Sequence, residues 1–267
     1  MPTVDTGRVQ LSYERSGSGA PLLLIMGMSG TLLSWGEPFL DALRESFEVI
    51  TYDHRGVGDS TPVKESFTIL DLAQDVADLL SALNLDSAHV MGISMGGMVA
   101  QELALGYPER IRTLVLGCTY CGGEGSSLAS EAVMGKLREG MASGDRERAI
   151  RGAWEVNVSE RFAADSEAYG RFLELGLRRA VSVAVILEQI RAISGHDTSA
   201  RLGGLAMPTM VIHGTADQML PVANGRMIAE LVSGSRLEIL EQVGHLFFWE
   251  RPGDSAELVR AHASVYV

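Results

Sequence analysis

Apolar and polar residues follow two patterns along the first 120 positions of the chain, one typical of strands and one typical of helices. Residues 22–26 are apolar without interruption, as in a strand that is buried on both faces. Residues 69–83 and 95–107 instead carry apolar side chains at the spacing of a helix. Strands that alternate with helices predict a mostly parallel sheet covered by helices on both faces. The predicted strands of this part are residues 9–14, 22–26, 47–52, 88–93 and 113–117.

The strand pattern ends near residue 122 and resumes only after residue 204. Helical periodicity fills the interval, apart from an ambiguous apolar run at 181–187, and a structureless loop of this length is unusual in a compact domain. We therefore expect an α/β core made of residues 1–121 and 205–267, with residues 122–204 forming a helical cap over one edge of the sheet. The other predicted elements are helices at 129–138, 146–154, 167–180 and 181–193, strands at 208–213 and 236–240, and a last helix from about Pro252.

A glycine-rich motif lies between the predicted strand at 88–93 and the helix that follows it. Residues 92–96 fit the pattern G-x-S-x-G, with Ser94 at the centre. So sharp a turn would strain the backbone of Ser94, and side chains at positions 92 and 96 would collide in it. The hydroxyl would then stand above the end of the sheet, beside the N–H of Met95 at a helix N-terminus that favours an anion. Ser94 is therefore the candidate nucleophile, and the alternative is a glycine-rich turn with an incidental serine.

A serine hydroxyl needs a base to accept its proton, and the pKa of imidazole suits that role at neutral pH. His245 follows the strand at 236–240, in a loop that would lie at the carboxyl edge of the sheet, where open α/β sheets bind ligands. A capping or packing histidine is the alternative. The other histidines are assigned to the core or its hydrogen bonds (His89, His213), to a turn (His54) and to solvent-facing helices (His196, His262).

The histidine in turn needs a carboxylate that fixes its tautomer and stabilises the imidazolium. Asp217 lies just past the strand at 208–213 and so at the same predicted edge. A turn-forming role for Asp217 is the alternative. The segment 52–60 contains two rival carboxylates, but we interpret it as a tight, internally hydrogen-bonded turn. The rivals of Asp217 are Asp53, Asp59, Asp197 and Asp254.

The motif around Ser94 and the order Ser94, Asp217, His245 resemble the α/β-hydrolase superfamily, and the likeness extends over nearly the whole chain. Within it, the chain is most similar to small bacterial esterases, enol-lactonases and cofactor-free haloperoxidase-like enzymes, and residues 245–252 support that group. The resemblance implies an α/β-hydrolase fold with a helical cap, a catalytic triad, and neither a metal nor an organic cofactor.

The chain departs from this group after its first buried strand, where the group often has His-Gly and this chain has Met26-Gly27. The histidine of that pair is neither acid nor base, so the implied chemistry survives its replacement. By position, the resemblance implies that the backbone N–H groups of Met28 and Met95 hold the oxyanion, and a backbone donor does not depend on the side chain. A core methionine is the alternative for Met28.

Composition and charge narrow the class of partner. The 267 residues carry 34 Asp+Glu against 22 Lys+Arg, a net charge of −12, and no basic run offsets it. This balance disfavours binding to nucleic acid or to an anionic membrane. The pair Arg178 and Arg179 is interpreted as solvated, and Cys118 and Cys121 as reduced thiols. The chain has no signal-peptide pattern and no apolar stretch of 18 residues, so we expect a cytoplasmic protein; nothing in the pattern indicates its oligomeric state.

These observations predict a serine hydrolase that cleaves a small carboxylic ester or lactone through an acyl-enzyme on Ser94. Two alternatives use the same triad. One is a perhydrolase or haloperoxidase-like enzyme in which peroxide attacks the acyl-enzyme, and the other hydrolyses a carbon–carbon bond in a dienoic diketone. A third alternative, of another class, is a ligand-binding signalling protein that keeps the triad but turns over slowly.

Overall fold

One sheet of eight strands runs through residues 1–266, the part of the chain that this computed structural model describes. Its strands are β1 (Thr3–Asp5), β2 (Gln10–Gly17), β3 (Ala20–Ile25), β4 (Phe47–Tyr52), β5 (Ala88–Ile93), β6 (Ile111–Gly117), β7 (Thr209–Gly214) and β8 (Arg236–Leu240). Across the sheet they follow the order β1-β2-β4-β3-β5-β6-β7-β8. Strand β2 is antiparallel to β1 and β4, and the remaining neighbours pair in parallel, so the predicted mostly parallel sheet is confirmed.

Helices cover both faces of this sheet. They are α1 (Glu37–Arg44), α2 (Ile69–Ala82), α3 (Met95–Gly106), α4 (Glu131–Ala142), α5 (Arg146–Asn157), α6 (Glu160–Ala163), α7 (Ser166–Arg178), α8 (Val183–Ser194), α9 (Ala223–Leu231), α10 (Phe247–Glu250) and α11 (Pro252–Ala263). Helices α2 and α3 pack in one apolar cluster, and α1 and α11 pack in another. The sequence analysis did not predict β1, α1, α6, α9 or α10.

The packing of β3 on both faces explains why its sequence is apolar without interruption. Leu23 and Ile25 belong to the apolar cluster of α2 and α3, whereas Leu22 and Leu24 belong to the cluster of α1 and α11. All four side chains are fully buried. A strand covered by helices on both faces has no polar side, so alternation is lost.

Helices α4 to α8 lie between β6 and β7, and we call residues 122–204 the helical insertion. Each of these helices begins at a serine or aspartate whose side chain accepts a hydrogen bond from a backbone N–H of the first turn. Most of the ambiguous apolar run at 181–187 is helical, since α8 begins at Val183 and Ser182 caps it. The five capping residues are Ser130, Asp145, Ser159, Asp165 and Ser182.

The helical insertion packs on the rest of the fold through aromatic side chains. Trp154 of α5 and Phe172 of α7 lie edge-on to Trp249 of α10, with ring centroids 5.9 and 5.4 Å away. Trp249 also donates a hydrogen bond from Nε1 to the carbonyl of Ser34. The division into core and cap stays a prediction. Across residues 1–266, no helix combines the length and the apolar character needed to cross a bilayer.

Candidate active site

Ser94 occupies the sharp turn between β5 and α3. Its backbone has φ 55° and ψ −123°, in the positive-φ region that a residue with a side chain rarely adopts. A Cβ at Gly92 would come within 2.2 Å of the carbonyl oxygen of Gly96, and a Cβ at Gly96 within 2.0 Å of that of Ile25. The turn therefore requires glycine at both motif positions, as its sequence indicates.

Thr119, which the sequence reasoning missed, holds this turn from the loop that follows β6. Its hydroxyl donates a 2.7 Å hydrogen bond to the carbonyl of Ser94, and the N–H groups of Gly97 and Met98 donate to the same oxygen. The Ser94 N–H in turn donates to the carbonyl of Gly117 at 3.0 Å. The strained serine is thus fixed on both sides of its peptide unit, while its residue stays half-buried rather than sealed.

Asp217 and His245 form a buried hydrogen bond in which Nδ1 of the imidazole lies 2.7 Å from Oδ2 of the carboxylate. The other oxygen of Asp217 accepts the N–H groups of Met219 and Leu220 at 2.8 and 2.9 Å. Burial disfavours the ionised carboxylate, but the histidine charges and hydrogen bonds outweigh burial and hold the pKa of Asp217 well below its usual value. Asp217 is therefore an ionised acceptor that sets the orientation of His245.

The three candidate catalytic residues come from the ends of different parallel strands. Ser94 follows β5, Asp217 lies past β7 and His245 lies past β8, at one edge of the sheet. Cys118 lies between these residues. Its neighbours Gly117 and Thr119 hydrogen-bond to the backbone of Ser94. Its own Sγ lies within 4.8 Å of a side-chain nitrogen or oxygen atom of Asp217 and of His245. Within residues 1–266, Ser94 Oγ makes no hydrogen bond to the His245 ring.

The same neighbourhood contains three side chains of metal-binding type. Cys118, Asp217 and His245 each offer one donor atom within 4.8 Å of the others. However, the 2.7 Å contact between Nδ1 and Oδ2 is a hydrogen bond that already uses both atoms. Burial, reinforced by the charge of Asp217, raises the pKa of the Cys118 thiol well above its usual value, so the thiolate that binds metals is disfavoured. This donor set fits a hydrogen-bonded pair rather than a metal ion.

The loop between β3 and the turn before α1 lies directly against Ser94. A Cβ at Gly27 would lie 3.0 Å from the Cβ of Ser94, so the backbone of this loop approaches the serine closely. Met28 follows Gly27, and within residues 1–266 neither its N–H nor that of Met95 donates a hydrogen bond. Both candidate oxyanion donors are thus available beside the candidate nucleophile.

His54 anchors the start of this loop. Its Nε2–H donates a 2.9 Å hydrogen bond to the carbonyl of Met26, and its Nδ1 lies 3.3 Å from the hydroxyl of Tyr52. Burial lowers the pKa of His54 to about 4, so the ring is neutral at physiological pH. His54 therefore stabilises more than its own turn, because its side chain connects that turn to the loop after β3.

The assignments of the four remaining histidines are confirmed for two of them and wrong for the other two. His89 and His213 are buried in strands and hydrogen-bonded, to Thr113 at 2.9 Å and to the carbonyl of Leu220 at 2.7 Å, as expected. His213 Nε2 also lies 3.3 Å from Oδ2 of Asp217, which adds a second imidazole beside that carboxylate. The solvent-facing assignment of His196 and His262 is wrong, because both are 4% exposed.

Two cavities of about 720 and 410 Å³ open at the surface, and neither is lined by Ser94, Asp217 or His245. The larger lies between α6 and the loops after β7 and β8, and the smaller lies between α8 and residues 62–66. Asp217 and His245 are themselves buried, and Ser94 is half-buried.

Comparison with known proteins decides the family. The family model described as the alpha/beta hydrolase fold matches residues 20–252, which is most of the chain. The chain is an α/β hydrolase. The sequence-based expectation of this fold is thereby confirmed, together with the general activity of a hydrolase.

Curated relatives of this α/β hydrolase carry several hydrolase names. A putative carbamate hydrolase RutD from Azorhizobium caulinodans is 29% identical over 92% of each chain. The 3-oxoadipate enol-lactonase 1 of Acinetobacter baylyi is 28% identical over 91% of this chain and 88% of its own. Among solved structures, a hydrolase from Pseudomonas aeruginosa is 28% identical, with a TM-score of 0.81 over 95% of this chain and 94% of its own.

Proposed function

We propose that this α/β hydrolase is a serine esterase or lactonase that cleaves a small carboxylic ester or lactone. The observation that carries the proposal is the buried Asp217–His245 hydrogen bond at the sheet edge where Ser94 occupies a strained turn. A nucleophile, a base and an orienting acid from three strand ends are the parts that acyl transfer requires. The enol-lactonase relative supports the lactone half of the proposal.

In the proposed reaction, Ser94 Oγ attacks the substrate carbonyl carbon while His245 Nε2 accepts the hydroxyl proton. The Ser94–His245 contact forms when substrate binds, since catalytic hydrogen bonds are often long in the free enzyme. Asp217 keeps the proton of His245 on Nδ1, so that Nε2 is the acceptor. The N–H groups of Met28 and Met95 stabilise the oxyanion of the tetrahedral intermediate.

The intermediate then collapses to an ester on Ser94. His245 returns its proton to the leaving alcohol, which departs or, for a lactone, stays attached to the acyl group. Water attacks the acyl-enzyme while His245 accepts one of its protons, and His245 then gives that proton to Ser94 Oγ as the acid leaves. The helical insertion acts in this proposal as a cap that excludes bulk water from the site.

The test is hydrolysis of a panel of p-nitrophenyl esters and simple lactones by the wild type, Ser94→Ala and Ser81→Ala. Ser81 is the matched control, because its hydroxyl donates to the carbonyl of Ala77 within α2 and accepts from Arg110, and it contacts none of the candidate catalytic residues. We expect Ser94→Ala to lower kcat by at least about 10³-fold and Ser81→Ala to leave it unchanged. A phosphonate ester should label Ser94 in the wild type. Substantial activity in folded Ser94→Ala would overturn the proposal.

A further inference from the structure

Gln189 is a polar residue at the centre of the buried face of α8. The buried positions of this helix are Val185, Gln189 and Ala192, spaced as one helical face, while Leu187 on another face is 58% exposed. The Gln189 residue is 0% exposed. An amide on an otherwise apolar face is costly unless it is hydrogen-bonded, so its partners indicate its role.

One end of this amide holds the loop that lies against Ser94. Oε1 of Gln189 accepts the N–H of Ser29 at 2.9 Å, 160 residues away along the chain. Ser29 has φ 59° and directly follows Met28, the candidate oxyanion donor. His54 binds the carbonyl of Met26 at the start of the same loop. The loop is therefore fixed at one end by the sheet side and at the other by the helical insertion.

The other end of the amide has no partner. Nε2 of Gln189 is fully buried and makes no hydrogen bond within residues 1–266. Gln101 is an internal comparison, because it is equally buried but its Nε2 donates to the carbonyl of Tyr120 at 3.1 Å and its Oε1 accepts from Thr198 at 2.5 Å. Within residues 1–266, Gln189 Nε2 is one of nine buried side-chain polar atoms without a partner, and its side chain also holds the Ser29 N–H, so we look for its acceptor outside the chain.

The position of these donors identifies the kind of acceptor. The two ends of an amide share one carbon, so Nε2 lies beside the same loop whose Gly27 backbone approaches Ser94. We propose that Gln189 is a specificity-determining residue whose Nε2–H donates to a second oxygen on the acyl part of the substrate, while its Oε1 positions the Met28 N–H. This inference rests on the proposed function. The acyl part is favoured because it stays bonded to Ser94 through both steps.

The substrate class that follows is an ester or lactone whose acyl chain carries a further carbonyl oxygen near the reacting carbon. The test compares three p-nitrophenyl keto esters with esters in which a methyl group replaces the keto oxygen. The pairs are 3-oxobutanoate with 3-methylbutanoate, 4-oxopentanoate with 4-methylpentanoate, and 5-oxohexanoate with 5-methylhexanoate. Wild type, Gln189→Met and Glu188→Gln are assayed for kcat and KM.

Glu188→Gln is the matched control, because Glu188 is the next residue of α8 and binds the Phe67 N–H rather than the loop beside Ser94. We expect the wild type and Glu188→Gln to prefer at least one keto ester about tenfold in kcat/KM over its methyl partner. In Gln189→Met that ratio should fall to about 1. Loss of the oxygen contact changes the ratio, whereas loss of loop positioning lowers kcat for both members of a pair.

If Gln189→Met does not fold, Gln189→Glu at pH 8 replaces it, because an ionised carboxylate keeps the acceptor for Ser29 and lacks the donor. The inference is overturned if the wild type shows no keto preference, or if that preference survives in the Gln189 variant. Failure of the proposed function looks different, since hydrolysis would then persist in Ser94→Ala.

Discussion

Arg179 and Asp53 form an ion pair between the helical insertion and the loop after β4, with Nη1 3.0 Å from Oδ2. The Asp53 side chain is fully buried, and its other oxygen accepts the N–H of Leu32 at 2.7 Å. Arg179 reaches Asp59 with its second terminal nitrogen at 2.6 Å. The interpretation of this arginine as solvated is therefore wrong, and burial raises the pKa of Asp53 while Leu32 and Arg179 lower it.

We expect Arg179→Met to destabilise the fold by about 2 kcal/mol at pH 7, because it leaves Asp53 buried without its cation. The cost is below that of a fully buried pair, since the Arg179 side chain is 21% exposed. Urea unfolding measures the change in the free energy of unfolding, and limited proteolysis should cleave the variant faster within residues 122–204. Arg178→Met, at an exposed neighbour, should change neither. Equal stability of the two variants would show that the pair contributes nothing.

Local geometry made part of this site predictable from sequence. The turn at Ser94 can exist only with glycines at fixed positions, so Gly92 and Gly96 leave a signature that a single sequence carries. The strands before Asp217 and His245 also leave local signals, because an apolar run marks β7 and partial alternation of apolar and polar residues marks β8. Periodicity and turn chemistry therefore predict seven of the eight strands described and name the candidate residues at their ends.

Contacts between segments that are distant along the chain leave no pattern in the local sequence. Thr119, Gln189 and Arg179 matter through partners 25, 160 and 126 residues away, and no spacing rule links such positions. His196 was misassigned for the same reason, since an imidazole at the end of a helix is buried only when another part of the chain covers it. The burial of a polar residue depends on tertiary packing, which periodicity in one segment does not report.

Asp217→Asn should lower kcat for ester hydrolysis by about 10³–10⁴-fold without unfolding the protein. An amide at this position can still accept the N–H groups of Met219 and Leu220, but it can donate to Nδ1 of His245 and so favour the wrong tautomer. Steady-state kinetics across pH measures the loss. A decrease in kcat of less than tenfold would show that His245 does not depend on this carboxylate.

The depressed pKa of Asp217 also predicts how stability depends on pH. Its folded pKa lies below that of the unfolded chain, so its contribution is present above about pH 4 and is lost as the pH falls further. Asp217→Asn should therefore be destabilised relative to wild type at neutral pH, with the gap closing in acid. A gap that stays constant down to pH 2.5 in urea titrations would contradict this sign.

Two glycine-to-alanine changes should act in opposite directions. A Cβ at Gly96 would lie 2.0 Å from the carbonyl oxygen of Ile25, so Gly96→Ala must shift the backbone beside Ser94 and should lower both the melting temperature and kcat. A Cβ at Gly135, inside α4, meets nothing within 4 Å, and Gly135→Ala should stabilise by roughly 0.5–1 kcal/mol. Thermal unfolding followed by circular dichroism measures both, and a stabilised Gly96→Ala would contradict the geometry of the turn.

His196 should make the protein acid-sensitive through the unfolded state. Both of its ring nitrogens are buried without a hydrogen bond within residues 1–266, and burial, opposed by Glu102, lowers its pKa from 6.5 to about 4. Between these values the unfolded chain binds a proton that the folded chain does not, so stability falls as the pH decreases from about 6.5 to about 4. The lost stability at pH 4.5 is on the order of 2 kcal/mol.

Phenylalanine tests this prediction because it fills the space of the imidazole and breaks no hydrogen bond. His196→Phe should match or exceed wild-type stability at pH 7.5, and its free energy of unfolding should decrease less steeply toward pH 4.5 in urea titrations. Gly135→Ala is the control, since it should shift the whole pH curve without changing its shape. Parallel curves for His196→Phe and wild type would mean that this imidazole titrates alike in the folded and unfolded chains, which its burial beside Tyr120 opposes.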